Sequence, residues 1–277
     1  MPSIRKFSAR RSSMRFLLIT NDVDFAKAAH IAGVERFMVD LELHGKQERQ
    51  GHKDTFITSH HSGDIARMRD AVPDAELMVR INPLHGDSHK EIDLAIGAGA
   101  DLIMLPMFTR ADELKQIAEL IAHRARFVPL FEHYKALEAM EECIALGVMD
   151  ECYLGLNDLH ISLDQRFLFE PLLSDYVEQF AAKAARANLP FGFGGLGSLR
   201  ADVAIPPKLL FAEHARLGSR RVILSRAFQN VVAREDLAQE IALLREAWAL
   251  YQQRDNAAVS RDHDALIAAI QSVLKEA

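Results

Sequence analysis

Short apolar runs alternate with stretches of helical periodicity along most of this chain. The runs lack the strict apolar–polar alternation of a strand exposed on one face, so they predict strands buried on both faces of a parallel sheet. The predicted strands cover residues 16–20, 36–41, 76–82, 101–105, 127–132, 151–155, 190–194 and 221–225.

Helices are predicted between these strands and after the last one. Thr109 and Asp112 have the spacing of a capping box at one helix start, and Gly33 is a plausible helix end. The predicted helices cover residues 22–33, 63–71, 87–97, 109–123, 134–146, 170–188, 206–217, 235–251 and 263–275.

Eight strands that alternate with helices over roughly 240 residues match the size of a (β/α)8 TIM barrel. The α/β pattern contains no linker, so we predict one barrel domain over residues 15–277 with an extra C-terminal helix. A flexible N-terminal tail is predicted for residues 1–14, which are basic but lack an apolar core. An open, doubly wound sheet is the alternative architecture.

Composition narrows the classes of protein that need consideration. The 277 residues carry a net charge of −6, which argues against nucleic acid or an anionic membrane as a partner. No stretch of about 20 apolar residues is present to span a bilayer. The two cysteines, Cys143 and Cys152, lie in apolar patterned segments, so we expect buried thiols and a reducing, cytoplasmic environment.

Two predicted neighbouring strands each end in a carboxylate, Glu132 on the fifth and Asp158 just after the sixth. Parallel neighbours lie about 4.8 Å apart, so acids at matching ends converge on one small site. Converging carboxylates repel unless a proton or a cation lies between them. The pattern therefore indicates a divalent metal site, and the alternative is that each acid only caps a helix.

In a barrel, chemistry is expected at the carboxyl ends of the strands. Polar and charged residues collect at those predicted ends, while the strands otherwise look apolar. They are Asp40, Glu42, Arg80, Glu132, Asn157, Asp158, the pair Gly194-Gly195 and the pair Ser225-Arg226, with Pro106 ending the fourth strand. This distribution strengthens the metal-site interpretation.

A long polar segment follows the second predicted strand and contains four histidines, His44, His52, His60 and His61. A segment of this length in a compact domain is more often a lid or a binding loop than a connection without function. The histidines lack a clean zinc-ligand spacing.

Five motifs fall in the order and spacing of one family. They are VDLE at 39–42, VRINP at 79–83, LIMLP at 102–106, PLFE at 129–132 and LGLNDL at 154–159. Over roughly residues 16–228, the chain resembles the HpcH/HpaI aldolase and citrate lyase β-subunit family of the phosphoenolpyruvate/pyruvate barrels.

The resemblance implies a metal-dependent aldolase or carbon–carbon lyase that forms or cleaves a 2-oxo acid through a pyruvate enolate. It implies Glu132 and Asp158 as ligands of Mg²⁺ or Mn²⁺ and Arg80 as the partner of the enolate oxygen. It also implies that the backbone N–H groups of Leu156, Asn157 and Asp158 hold the pyruvate carboxylate. The partners would be a pyruvate-like 2-oxo acid and an aldehyde, and the family's habit together with the apolar C-terminal helices suggests a homo-oligomer, a trimer or hexamer.

The chain departs from the family at the group that transfers the proton. The aldolase branch has a histidine directly after the strand-two glutamate, where this chain has Leu43, and a glutamine where it has Leu130. His44 is the first candidate acid/base, His52, His60 and His61 are further candidates in the same segment, and Asp40 and Glu42 complete the catalytic candidates. Alternatively, Arg80 only forms salt bridges with neighbouring acids.

A glycine-rich run, 192–197, satisfies the pattern GxGxxG. A nucleotide site needs that pattern between the first strand and helix of an open sheet. In a barrel, residues 194–198 with Ser225 and Arg226 would form an anion cup, so Gly194, Gly195 and Ser225 are substrate-binding candidates. Tight turning of the backbone is the plain alternative.

The same run and residues 154–172 resemble family members found with surface-polysaccharide genes, which suggests a sugar-derived aldehyde. Three other functions stay open at this point: a citryl-CoA-type lyase or thioester hydrolase, an oxidoreductase, and a non-catalytic barrel.

Overall fold

The computed structural model describes residues 13–43 and 60–276. Its strands form one closed, all-parallel barrel in which each strand pairs with the next and β8 pairs with β1. The strands are β1 Arg15–Ile19, β2 Arg36–Asp40, β3 Glu76–Arg80, β4 Leu102–Leu105, β5 Arg126–Phe131, β6 Cys152–Leu154, β7 Phe191–Leu196 and β8 Arg221–Leu224.

Helices surround the barrel and follow the strands in the order expected of a (β/α)8 fold. In the described ranges, the helices are α1 Val23–Ile31, α2 Gly63–Ala71, α3 Ser88–Gly97, α4 Ala111–Ile121, α5 Tyr134–Glu138, α6 Met140–Ala145, α7 Leu156–Ser162, α8 Tyr176–Arg186, α9 Pro207–Leu217, α10 Arg226–Val231, α11 Leu237–Tyr251 and α12 Asn256–Glu276. Two short 3₁₀ turns, Glu170–Leu173 and Arg234–Asp236, precede α8 and α11.

The barrel interior is filled in three layers, because alternate residues of each strand point inward. The middle layer is apolar, and its cluster contains Leu17, Met38, Met78, Leu102, Val128 and Tyr153, extended by Met104 and Leu130 towards the carboxyl ends of β4 and β5. On β2 and β3 the inward positions on both sides of this layer are charged, because Arg36 and Asp40 flank Met38 and Glu76 and Arg80 flank Met78. The apolar layer thus separates a charged layer at the amino ends of the strands from another at the carboxyl ends.

The amino-terminal layer is a network of ion pairs across the barrel. Arg36 donates to Glu76 on β3 at 2.7 Å and to Glu151, just before β6, at 2.8 Å. Arg15 and Arg126 also pair with Glu76, and Arg221 also pairs with Glu151. Arginine charges hold the pKa of Glu76 down at about 2 although burial pushes it upward.

A larger apolar core fills the space between the strands and the helices. Outward-facing residues such as Phe16 and Phe37 pack there, and the buried thiols of Cys143 and Cys152 lie in the same core, as predicted. The C-terminal helix α12 joins this core through Leu266 and Ile270, so it packs on its own barrel.

The structure confirms the TIM barrel and the extra C-terminal helix, and the closed sheet excludes the doubly wound alternative. The expectation that charges collect at only one end of the strands was wrong, because inward positions are charged at both ends. Met14, the last residue of the predicted tail, has a fully buried side chain. Tail residues 1–12 lie outside the described ranges.

Several helix predictions need correction. At the start of α4, Glu113, one residue after the predicted Asp112, accepts the backbone N–H groups of Thr109 and Arg110 at 3.2 Å. The helix predicted over 134–146 is broken at Ala139, and the helix predicted from 170 begins only at Tyr176 after a 3₁₀ turn. The short helices α7 and α10 were not predicted. Within the described ranges, none of the helices has the length and apolar character that a membrane span requires.

Candidate active site

Glu132 directly follows β5 and is almost fully buried, with 3% of its surface exposed. Its Oε1 accepts a hydrogen bond of 3.0 Å from the backbone N–H of Met107, which follows β4. Met107 has a φ of +53°, in the left-handed region that non-glycine residues rarely adopt. The neighbouring strand end therefore aims a backbone donor at a buried carboxylate.

The other oxygen of Glu132 lies against Gly155, the residue between β6 and α7. A Cβ built on Gly155 would come within 2.8 Å of Oε2 and within 2.9 Å of the Glu132 Cβ. Only glycine leaves this space, so the close approach of Glu132 to the start of α7 depends on it. Asp158 lies in the first turn of the same helix.

The charge of Asp158 acts on the carboxyl group of Glu132. Burial raises the pKa of the Glu132 carboxyl well above its usual value, and the negative charge of Asp158 raises it further. The positive charge of Arg80 acts in the opposite direction. A carboxylate in this position is costly to ionise unless a cation comes close.

Arg80 ends β3 and is held by two acids from the end of β2. Its Nε and Nη2 donate to Asp40 Oδ1 and Oδ2 at 2.8 and 2.7 Å, and Nη1 lies 3.4 Å from Glu42 Oε2. Burial opposes the guanidinium charge, but the carboxylates, Asp40 foremost, raise the pKa of Arg80 above its usual value. Arg80 therefore forms the salt bridges that the sequence left as an alternative, and it also lies within reach of the charge of Glu132.

His60 enters this region at the end of the polar segment. Its ring is buried, and its Nδ1 accepts the backbone N–H of Asp40 at 3.0 Å. The acceptor role of Nδ1 places the ring proton on Nε2. His44 and His52 lie outside the described residues, whereas Leu43 is 61% exposed and its N–H donates to Asn82.

The predicted substrate-binding residues lie next to one another. Leu156, Asn157 and Asp158 form the first turn of α7, where N–H groups have no acceptor within the helix. A Cβ on Gly194 would lie 3.0 Å from the Leu156 side chain, and one on Gly195 would lie 3.3 Å from the Ser225 Cβ. The ends of β6, β7 and β8 thus form one continuous wall, in which Ser225 caps α10 by accepting the N–H of Phe228.

Tyr153 shapes that wall, and sequence reasoning did not single it out. Its buried hydroxyl donates to the Gly194 carbonyl at 2.9 Å and accepts the Ile223 N–H at 2.8 Å, where the pairing of β7 with β8 shifts register. Gly192 leaves room for the ring, because a Cβ there would lie 2.2 Å from it. The glycine run thus forms the seventh strand of a closed barrel and lacks the context of a nucleotide-binding loop.

The donor set fits a hard divalent cation. Glu132 and Asp158 offer carboxylate oxygens, which suit Mg²⁺ and Mn²⁺, and such ions commonly use one or two carboxylates with substrate or water oxygens completing the shell. Among the residues that the structure describes, no group of three or more histidine, cysteine, aspartate or glutamate side chains is arranged as a metal site. The fit thus concerns two protein ligands and an open coordination sphere.

Comparisons with known proteins show the family of this chain and solved structures of similar fold. The family model described as HpcH/HpaI aldolase/citrate lyase matches residues 13–188. Among solved structures, an HpcH/HpaI aldolase from Desulfitobacterium hafniense DCB-2 superposes with a TM-score of 0.61 at 15% identity, covering 88% of this chain and 95% of that one. An HpcH/HpaI aldolase/citrate lyase family protein from Burkholderia cenocepacia J2315 superposes with a TM-score of 0.59 at 15% identity, covering 87% and 96%. None of the curated proteins matches this chain.

Proposed function

Because this chain belongs to the HpcH/HpaI aldolase/citrate lyase family, which supports a general lyase or aldolase function, we propose that it is a metal-dependent aldolase or carbon–carbon lyase. Its donor would be pyruvate or a close 2-oxo acid, and its acceptor an aldehyde that includes sugar-derived ones. One observation carries the proposal: at the carboxyl end of the barrel, the buried carboxylate of Glu132 lies against Gly155 at the start of the helix that carries Asp158, and within reach of the positive charge of Arg80.

Glu132 and Asp158 would hold Mg²⁺ or Mn²⁺, and the bound ion would supply Lewis-acid polarisation of the keto oxygen. The mutual repulsion of the two acids supports this role, because a divalent cation relieves it. The chain's own residues supply the remaining functions.

Arg80 would stabilise negative charge on the donor's keto oxygen as the carbon–carbon bond breaks. Its guanidinium is fixed by Asp40 and Glu42, so it stays in place while charge develops. A charged donor that is already oriented stabilises a transition state without reorganisation at the moment of reaction.

The first-turn N–H groups of α7, on Leu156, Asn157 and Asp158, would bind the carboxylate of the 2-oxo acid, since a helix start favours an anion. The wall of Gly194, Gly195 and Ser225 would then face the acceptor. Proton transfer would fall to Asp40, Glu42 or His44.

The test is exchange of the pyruvate methyl protons with solvent in D₂O, followed by NMR with Mg²⁺ or Mn²⁺. The proposal expects metal-dependent exchange that is lost in Glu132→Gln. Absence of exchange with any divalent metal, or full exchange in the variant, would count against it. Saturable binding of CoA would instead favour a citryl-CoA-type lyase or thioester hydrolase.

A further inference from the structure

Met107 differs from the other residues with a left-handed backbone. In the described part of the chain, the other non-glycine residues with positive φ are Ala122, His123, Asp164 and Asn188. Each of those four follows the end of a helix, where this conformation is the usual way to stop. Met107 follows the strand β4 and stops no helix, so its conformation needs another explanation.

The explanation lies in what the backbone of Met107 does. With this φ, its N–H points across to the next strand and donates to Glu132 Oε1 at 3.0 Å. Unusual backbone conformations persist where the surroundings hold them, and they cluster at functional sites.

Gly155 restrains the same carboxylate from the opposite side. Glu132 Oε2 occupies the space next to the bare Cα of Gly155, within 2.8 Å of where a Cβ would be. β4 and β6 are the two neighbours of β5 in the sheet. Each oxygen of Glu132 thus meets one adjoining strand end, which fixes the plane of the carboxylate.

We propose that Met107 and Gly155 are positioning residues that turn Oε2 of Glu132 towards the helix that carries Asp158. The inference rests on the proposed function, because the orientation of the Glu132 carboxylate matters most when Glu132 and Asp158 bind the same cation. Residues behind a metal ligand typically change metal affinity by about 10–100-fold when they are altered.

Two substitutions at Met107 separate its backbone from its side chain. Met107→Gly and Met107→Val both remove the thioether, but glycine adopts positive φ freely while β-branched valine resists it. We expect Met107→Gly to retain Mn²⁺ affinity and thermal stability, and Met107→Val to weaken Mn²⁺ binding at least about tenfold.

At the second position, Gly155→Ala places a methyl group against Glu132 and should weaken Mn²⁺ binding to a similar degree. Gly86→Ala is the matched control, because a Cβ there meets nothing within 4 Å. Mn²⁺ affinity would be measured by EPR titration of the full chain, with thermal melting of the metal-free protein to confirm folding.

Equal Mn²⁺ affinity in Met107→Val and the unaltered protein would overturn the inference, and so would equal weakening in Met107→Gly and Met107→Val. If the unaltered protein neither binds Mn²⁺ nor exchanges pyruvate protons, the proposed function fails first. Crystal structures of Met107→Val and Gly155→Ala then decide the positioning role: a displaced Glu132 carboxylate supports it, and an unmoved one overturns it.

Discussion

Arg80 donates two hydrogen bonds to the carboxylate of Asp40, its partner in the β2–β3 register, at 2.8 and 2.7 Å. The pair is largely buried, with 14% and 10% of the two side chains exposed. A bidentate ion pair of this kind fixes both the position and the plane of the guanidinium.

We expect Asp40→Asn to lower kcat by about 10–100-fold, because an amide offers Arg80 only one acceptor and loses about 1–3 kcal/mol of interaction. Steady-state kinetics and urea unfolding would measure both effects. Glu141→Gln is the control, since Glu141 pairs with Arg186 at 3.2 Å on the surface and should change stability by under about 0.5 kcal/mol. Unchanged kcat in Asp40→Asn would contradict the role assigned to Arg80.

Glu132→Gln should abolish pyruvate proton exchange and yet stabilise the metal-free protein. The folded-state pKa of Glu132 is raised, so its contribution to stability is present below its unfolded pKa and is lost as pH rises through the folded pKa. Thermal melts from acid to neutral pH should show this loss in the unaltered protein and a smaller one in the variant. Added Mg²⁺ should raise the melting temperature only when Glu132 is present.

His60→Asn and His60→Ala would define the role of the ring that accepts the Asp40 N–H. An asparagine oxygen can replace Nδ1 as the acceptor, whereas alanine leaves the N–H without it. If the ring only orders Asp40, His60→Ala should lose about tenfold in kcat and His60→Asn should recover most of that loss. Equal loss in both variants, with an altered pH profile, would assign proton transfer to the ring itself.

Tyr153→Phe should destabilise the protein by about 1–3 kcal/mol, because the Gly194 carbonyl and the Ile223 N–H both lose a buried partner. Urea unfolding would measure the change, with Tyr134→Phe, at the start of α5, as the comparison. A change below about 0.5 kcal/mol would show that the hydroxyl does not hold β7 to β8.

His214 should make the fold sensitive to acid. Burial lowers the pKa of this histidine to about 3, and its ring stacks on Phe193 with centroids 3.9 Å apart. In the unfolded chain the pKa of this histidine is near 6.5, so between that pH and the folded-state pKa only the unfolded chain binds the proton. The free energy of unfolding therefore falls as pH falls below about 6.5, by about 2 kcal/mol at pH 5 relative to pH 7. His214→Phe should flatten the pH dependence of unfolding between those values, and an unchanged slope would contradict the assignment.

The sequence predicted the barrel because apolar runs and helical periods repeat along it, and these signals are local. The strand-end positions of Asp40, Arg80 and Glu132 followed from the same pattern. Which side chains of non-neighbouring strands meet inside the barrel depends on the closed sheet and not on local sequence. The contact between Arg36 and Glu151, and with it the charged layer at the amino ends of the strands, was therefore not predicted.

Other features had no sequence signal at all. The positive φ of Met107 could not be predicted, because methionine normally avoids this conformation. The hydrogen bond between the Asp40 N–H and His60 could not be predicted either, because the long polar segment separates the two residues in sequence. The glycine run is a mixed case: a strand was predicted over 190–194 with a turn or anion cup after it, whereas β7 continues to Leu196 around Tyr153.

Among the described residues, the ion-pair layer of Arg36, Glu76 and Glu151, with apolar side chains above it, closes the amino end of the barrel. Under the proposed function, a 2-oxo acid bound at Glu132 and Arg80 would be approached by the aldehyde from the carboxyl ends of the strands. In the cleavage direction, the aldehyde would then leave before the keto acid.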